Sequence, residues 1–378
     1  MAHSIIPDIL ICIFEQFLEP YAPYLGYSDL SACCLVCKQW QSFAQTVLFR
    51  HACFAHSQQL ASFLSVITQT YNKHSRELAC AVRSIRHAMG PTVALSVLRQ
   101  CENLVELQEI WSPGEQGSRL GVEVFRHENV AHLQTLSIHI EDTTPLDVLD
   151  FVGIWKDTLR HLRINVRMPD HEPENGADKN SQLQHEGGEA LSHRISGFYL
   201  KSFHWLQGGF ETELPSLEWI EDFLGESCGA LQVFCCPRLP AKILDRILAR
   251  HASTLAVLYT TKECLEVLKK HIPAMSNLEE LYIGGTVTEE VRTFVPLIEA
   301  GNLPRLHLLW MEVVEGELSV KKNLLDLGTA MRVEIIATTT RRWGIQGWQD
   351  PTSAEKPQLI WGKDGAVVRV PMNILHFN

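Results

Sequence analysis

Eight times between Leu104 and Leu303 the chain writes Leu-x-x-Leu-x-apolar or a close variant of it. That recurrence limits the available folds more than any other feature. It reads LVELQEI at Leu104, LQTLSIHI at Leu133, LRHLRINV at Leu159 and, degenerate, LKSFHWL at Leu200. It continues as LQVFCC at Leu231, LAVLYT at Leu255, LEELYIGG at Leu278 and LPRLHLL at Leu303, and a last strand-like run, MRVEIIAT, starts at Met331. Successive starts are 29, 26, 41, 31, 24, 23, 25 and 28 residues apart. A repeat of this length cannot bury its own apolar face, so neighbouring repeats must stack.

Segments of helical period precede nearly every such strand: LDVLDFVGIWKDT, LEWIEDFLGES, AKILDRILARHAS, CLEVLKKHI and EVRTFVPLIEAG. One strand and one helix per unit predicts an α/β solenoid over residues 101–340, loosely similar to leucine-rich repeats though without a regular Asn in the turn. Residues 51–100 read as a helical connector and the first repeat helix. The alternative is a closed or doubly wound α/β domain, which also alternates strands and helices; regular spacing and short, similar strands favour the solenoid. The one long interval holds the acidic, polar stretch of residues 168–190, too poor in apolar residues to fill a core and expected to be disordered. Residues 341–378, with Trp343, Trp348 and Trp361, read as a cap on the last repeat, the alternative being an aromatic binding surface.

The first fifty residues follow a different pattern. Ile6, Ile9, Leu10, Ile13, Phe14, Phe17 and Leu18 form the stripe of an amphipathic helix, with Pro7 suited to its first turn and Asp8 to its positive end. Glu19 to Ser28, with Pro20, Pro23 and Gly26, is a loop. Asp29 is a candidate cap for a second helix carrying Leu30, Cys33, Cys34, Cys37, Trp40 and Ala44 along one face. Cys34-x-x-Cys37 neither opens a helix after a strand nor has two further ligands at metal-like spacing, so these cysteines read as small buried hydrophobes.

The segment IPDILICIFEQFL, a loop, then DLSACCLVCKQWQSFAQTVLFR resembles the F-box in the form common in fungal F-box proteins. The resemblance covers roughly residues 4 to 50, within a small all-α domain read as residues 1–50, and implies a Skp1-type adaptor as partner, and through it a cullin-RING ubiquitin ligase. It assigns Ile6, Pro7, Leu10, Ile13, Leu30, Val36, Cys37 and Trp40 to the adaptor-binding segment, with Trp40 expected to pack inside it. Its loop is longer than the pattern expects. With the solenoid, the chain reads as a non-catalytic substrate receptor; the alternatives are a scaffold without target turnover and an α/β enzyme.

Chemistry is sparse elsewhere. His127 and His132 nearly form a zinc-protease motif, but their i, i+5 spacing turns the second ring about 140° away from the first. Phosphate-binding, dinucleotide and nucleophile-elbow glycine motifs are missing, Cys235-Cys236 reads as repeat packing, and no catalytic, cofactor or metal residue is assigned. A net charge of -11 without a basic run argues against nucleic acid. No apolar run is long enough for a membrane span, Ile5 to Leu18 is a poor signal peptide, and scattered cysteines fit a reducing compartment, so cytoplasm or nucleus is expected.

Overall fold

A computed structural model describes residues 7–17, 27–54, 56–69, 73–89, 91–112, 132–141, 151–167, 198–208, 217–225, 230–287, 302–314 and 334–340. The stretches 168–190 and 341–378, Ile6, and the segment EVRTFVPLIEAG apart from a single helical position lie outside these residues. The chain divides into two compact units, residues 1–177 and 178–378.

The first unit opens with three helices, α1 (Pro7–Glu15), α2 (Tyr27–Val36) and α3 (Lys38–Arg50). After α3 the chain enters strand β1 (His51–Cys53) with no linker residue. Helices α4 (Ser57–Ile67) and α5 (Lys73–Ala81) lead to β2 (Ser84–Met89), and α6 (Pro91–Gln100) leads to β3 (Glu106–Ser112). Strands β4 (Thr135–Glu141) and β5 (His161–Arg167) follow, with a 3-10 turn at Gly153–Trp155 between them. Each strand pairs in parallel with the next in sequence. Residues 51–100, read from sequence as a helical connector and the first repeat helix, therefore also contain the first two strands. The repeat of β2 was hidden because Val82 and Ile85, both fully buried, stand where later units carry Leu, and in β1 the ladder position is held by Ala52.

The second unit runs β6 (Ser202–Gly208), α7 (Glu218–Gly225), β7 (Val233–Cys235), α8 (Ala241–His251), β8 (Val257–Thr261) and α9 (Leu265–His271). Then come β9 (Glu280–Val287), β10 (Leu308–Val314) and β11 (Glu334–Thr340). These strands too are parallel and paired in sequence order. A helical segment followed by sequentially paired parallel strands with helical returns is the α/β arrangement the repeats predicted, and it is consistent with a leucine-rich-repeat-like solenoid. In a doubly wound sheet, strand order departs from sequence order; within each unit it does not.

The Leu-x-x-Leu signature maps onto the core. Both apolar positions are buried at Leu104 and Leu107, Leu133 and Leu136, Leu159 and Leu162, Leu200 and Phe203, Leu231 and Phe234, Leu255 and Leu258, Leu278 and Leu281, and Leu303 and Leu306. The second position forms a ladder across strands. Ala52, Ile85, Leu107, Leu136 and Leu162 are successive register partners in the first unit, and Phe203, Phe234, Leu258, Leu281 and Leu309 in the second; in β10 Leu309, three residues beyond the expected second position Leu306, takes the place in the row. Because side chains alternate along a strand, the intervening residues lie on the opposite face.

A backbone device repeats with equal regularity. The carbonyl just before or at the start of a strand accepts two N–H groups from the next unit. Arg83 receives Val105 and Glu106, Val105 receives Gln134 and Thr135, and Gln134 receives Arg160 and His161. In the second unit Lys201, Gln232, Ala256 and Glu279 do the same for the pairs beginning at Gln232, Ala256, Glu279 and His307. All of these bonds fall between 2.7 and 3.2 Å. The residue preceding the first Leu ties the turn to the previous unit. Asn103 donates to the Cys80 carbonyl at 2.9 Å, Thr158 to Leu133 at 2.9 Å, Thr254 to Leu231 at 2.8 Å and Asn277 to Ser253 at 2.6 Å. A regular Asn was missing from the sequence because Thr performs the same task at positions 158 and 254, while His132, Tyr199 and Ala230 stand at the equivalent place in three other repeats.

Two measurements test this packing. Thr158→Val and Thr254→Val each leave a buried carbonyl short of a donor and should each lower the unfolding free energy by about 1 kcal/mol in urea titration. His251 is buried and its Nε2–H donates to the Leu224 carbonyl at 3.2 Å; burial pushes its pKa below the ordinary value. Between that lowered pKa and about 6.5 the unfolded chain binds the extra proton, so stability falls as pH drops through that window. A His251→Gln variant should lose this component of the pH dependence when unfolding is followed from pH 7.5 to 5.

Candidate functional site

Helices α1, α2 and α3 close around Leu10, Phe14, Leu30, Ala44 and Val47, with Ile11, Cys33, Cys34, Trp40, Phe43 and Leu48 packed at the edge. The Trp40 ring meets Phe14 edge-on, with centroids 5.6 Å apart, a favoured aromatic geometry. Glu15 of α1 pairs with Arg50 at the end of α3. The Tyr27 hydroxyl donates to the His51 carbonyl, and burial raises its pKa, so it remains a neutral donor at ordinary pH. Together these tie the helices to the first strand. Phe63 of α4 adds ring contacts with Phe49 and Phe54 on either side of β1.

The single second helix expected from Asp29 to Ala44 is two helices. Cys37 is extended, with φ -162° and ψ 164°, and separates α2 from α3. Asp29 consequently lies in the first turn of α2, where its charge suits the helix dipole. The break also moves Cys37 from the predicted buried stripe to the surface, while Cys33 and Cys34 stay at the core edge. A helix-period count continued across the break assigns Cys37 to the wrong face, since a register shift of one extended residue turns everything before it.

The apolar stripe of α1 is wider than its own segment can cover. Leu10 and Phe14 are buried, whereas Ile9 and Ile13 are 48% and 47% exposed and Phe17, just past the helix, is also exposed. Ile9, Cys12, Ile13 and Gln16 line a shallow open depression. At the end of α2, Leu35 is 88% and Val36 61% exposed, next to exposed Cys37. Among the described residues the exposed large hydrophobic side chains are these five and Tyr199. Five of these six thus lie within the three-helix segment, on α1 or just past it and at the end of α2.

The residues assigned to the adaptor-binding segment from sequence therefore divide. Ile13, Val36 and Cys37 are exposed. Leu10 and Leu30 are interior residues and are corrected to core, because α3 packs on the side of α1 and α2 that carries them. Trp40 packs against Phe14, as expected. Pro7 is the first residue of α1, and Ile6 lies outside the described residues. Ile9, Cys12, Phe17 and Leu35 were missed as surface residues. Leu35 stands in the Leu35-Val36-Cys37-Lys38 run of the motif, and the i, i+4 partnership of Ile9 with Ile13 marks a second face of α1 beside that of Leu10 and Phe14.

The described cysteines are free thiols; Cys236 is buried, and that burial pushes its pKa well up, away from the reactive thiolate. Among the described residues no three His, Cys, Asp or Glu side chains come together in a metal-holding group, and no helix is long and apolar enough to cross a membrane.

Comparison with known proteins bears on the helical segment. No curated protein matches this sequence. A crystal structure of the Rad7 and Elc1 complex in yeast is similar at 11% identity and a TM-score of 0.31, over 82% of this chain and 90% of the matched one. Residues 7–55 match the family model described as F-box-like. Residues 7–55, which contain the three helices and their exposed apolar side chains, thus form an F-box-like domain.

Proposed function

We propose that the protein is a non-catalytic substrate receptor that binds a Skp1-type adaptor through its F-box-like helices and thereby joins a cullin-RING ubiquitin ligase. The observation that carries this reading is the exposure of the apolar side chains of Ile9, Ile13, Phe17, Leu35 and Val36 within the residues matching the F-box-like model. An interface needs an apolar centre that the free chain leaves open. These residues supply one, while Leu10, Phe14 and Leu30 hold the helices that present it.

The repeats following the helices are read as the target-presenting part. A receptor of this kind contributes proximity: it raises the local concentration of a target's lysines near a conjugating enzyme held elsewhere in the assembly. Its site of action is the cytoplasm or nucleus. A scaffold that binds the adaptor without delivering a target shares the same first step, and accumulation of target proteins on deletion of the gene distinguishes the two.

Two sets of variants test the surface against the core. Ile9→Glu with Ile13→Glu, and separately Val36→Glu, should reduce capture of a purified Skp1-type adaptor at least about tenfold while leaving the thermal unfolding curve nearly unchanged, since each is solvent-exposed before binding. Full adaptor binding by both variants would show that this face is not the interface. Phe14→Ala should instead cost about 3–5 kcal/mol of stability, and Leu10→Ala about 2–5 kcal/mol, because both empty a packed core. Their effect on adaptor capture should follow the unfolded fraction measured by circular dichroism.

A further inference from the structure

The face of the second unit's strands turned away from the Leu ladder carries a row of rings. Tyr259 of β8, Tyr282 of β9 and Trp310 of β10 are successive register partners. The Tyr259 and Tyr282 rings stack with centroids 6.1 Å apart, and Tyr259 and Trp310 with centroids 6.5 Å apart. Tyr282 is buried among them; Tyr259, Trp310 and Val257 are partly exposed and form the accessible part of the cluster. Gly284 makes room for this arrangement. A Cβ there would come within 2.9 Å of the Tyr259 hydroxyl, so any larger residue would displace the ring.

The charge of this sheet is of one sign. Strands β7 to β11 contain Glu280, Glu312 and Glu334 and no Lys, Arg or His. Strands β2 to β5 differ: they carry Arg86, His139, His161, Arg163 and Arg167 among their residues. Glu280 is held beside the rings, accepting the Tyr282 hydroxyl at 2.8 Å and lying 3.8 Å from His307 Nε2. Its side chain is about a third exposed, which leaves the carboxylate open to a further donor.

Electron-rich ring faces beside a carboxylate, with no competing cation on the strands, suit a guanidinium or ammonium group. Each aromatic face attracts a cation by about 0.5–2 kcal/mol, more where water is displaced. Arg stacks on such rings through its planar group. We infer that the face formed by β8, β9 and β10 is a docking surface for an extended basic segment of a target protein, whose Arg or Lys side chains lie against Tyr259 and Trp310 and pair with Glu280. This inference rests on the reading of the chain as a substrate receptor and specifies the class of target.

The test uses the full chain bound to its adaptor, with acetylated tetra-arginine amide as probe, tetra-glutamate as control, and calorimetry or tryptophan fluorescence as readout. Tetra-arginine should bind and tetra-glutamate should not. Tyr259→Leu and Trp310→Leu should each weaken binding at least about tenfold, Tyr259→Phe should retain it by keeping the ring face, and Glu280→Gln should weaken it severalfold. Should the leucine variants lose fold by circular dichroism, Glu280→Gln and Tyr259→Phe still carry the comparison. Absence of tetra-arginine binding, equal binding of both peptides, or binding indifferent to Glu280→Gln and the ring variants would overturn the inference. So would self-association of the chain abolished by Trp310→Leu, which would make a second copy the occupant. Adaptor capture in the same preparation separates these results from failure of the receptor reading, which would appear as loss of the adaptor itself.

Discussion

The rest of the structure hangs on a shared backbone acceptor. At each described junction from β2 to β5, and again from β6 to β10, one carbonyl takes two N–H groups of the next unit. That pair of bonds fixes where the next strand starts, and a parallel strand displaced by one residue would turn its whole buried row to the opposite face. With the start fixed, the first and second Leu positions fall inside at every repeat. The Asn or Thr before the first Leu then satisfies a carbonyl of the preceding turn, which would otherwise be buried without a donor.

Two surfaces follow from this arrangement, by different routes. In the helical segment, α3 covers one side of α1 and α2, leaving Ile9, Ile13, Leu35 and Val36 outside because three short helices lack the area to enclose every apolar residue they carry. In the second unit, regular register places one residue of each strand side by side, so Tyr259, Tyr282 and Trp310 become a continuous patch although they are far apart in sequence. One surface is apolar. The other combines rings with an acid and suits a cation.

The helices and the strands are joined without slack. Arg50 ends α3 while its carbonyl accepts the Arg83 N–H, and the next residue is already in β1. With the Glu15–Arg50 pair and the Tyr27 hydroxyl bound to the His51 carbonyl, the F-box-like helices and the first repeats share one framework. In the proposed receptor role, a connection without linker residues would limit the lost orientational freedom that a flexible linker imposes.

The sequence by itself determined the repeat, the buried Leu positions and the helical character of the first fifty residues. Each of these rests on periodicity, which is local: apolar residues two, three or four apart report a face without knowledge of what lies against it. It could not show the strand at Ser84, where Val82 and Ile85 replaced the signature residues, nor the one at His51, where Ala52 holds the ladder position. It could not divide the stripe of α1 either. Leu10 and Ile9 are neighbours of equal hydrophobicity, and only the position of α3 makes one of them core and the other surface. The break at Cys37 and the aromatic row are likewise tertiary facts, since the first depends on how α2 and α3 fold over α1, and the second on register between strands about 25 residues apart.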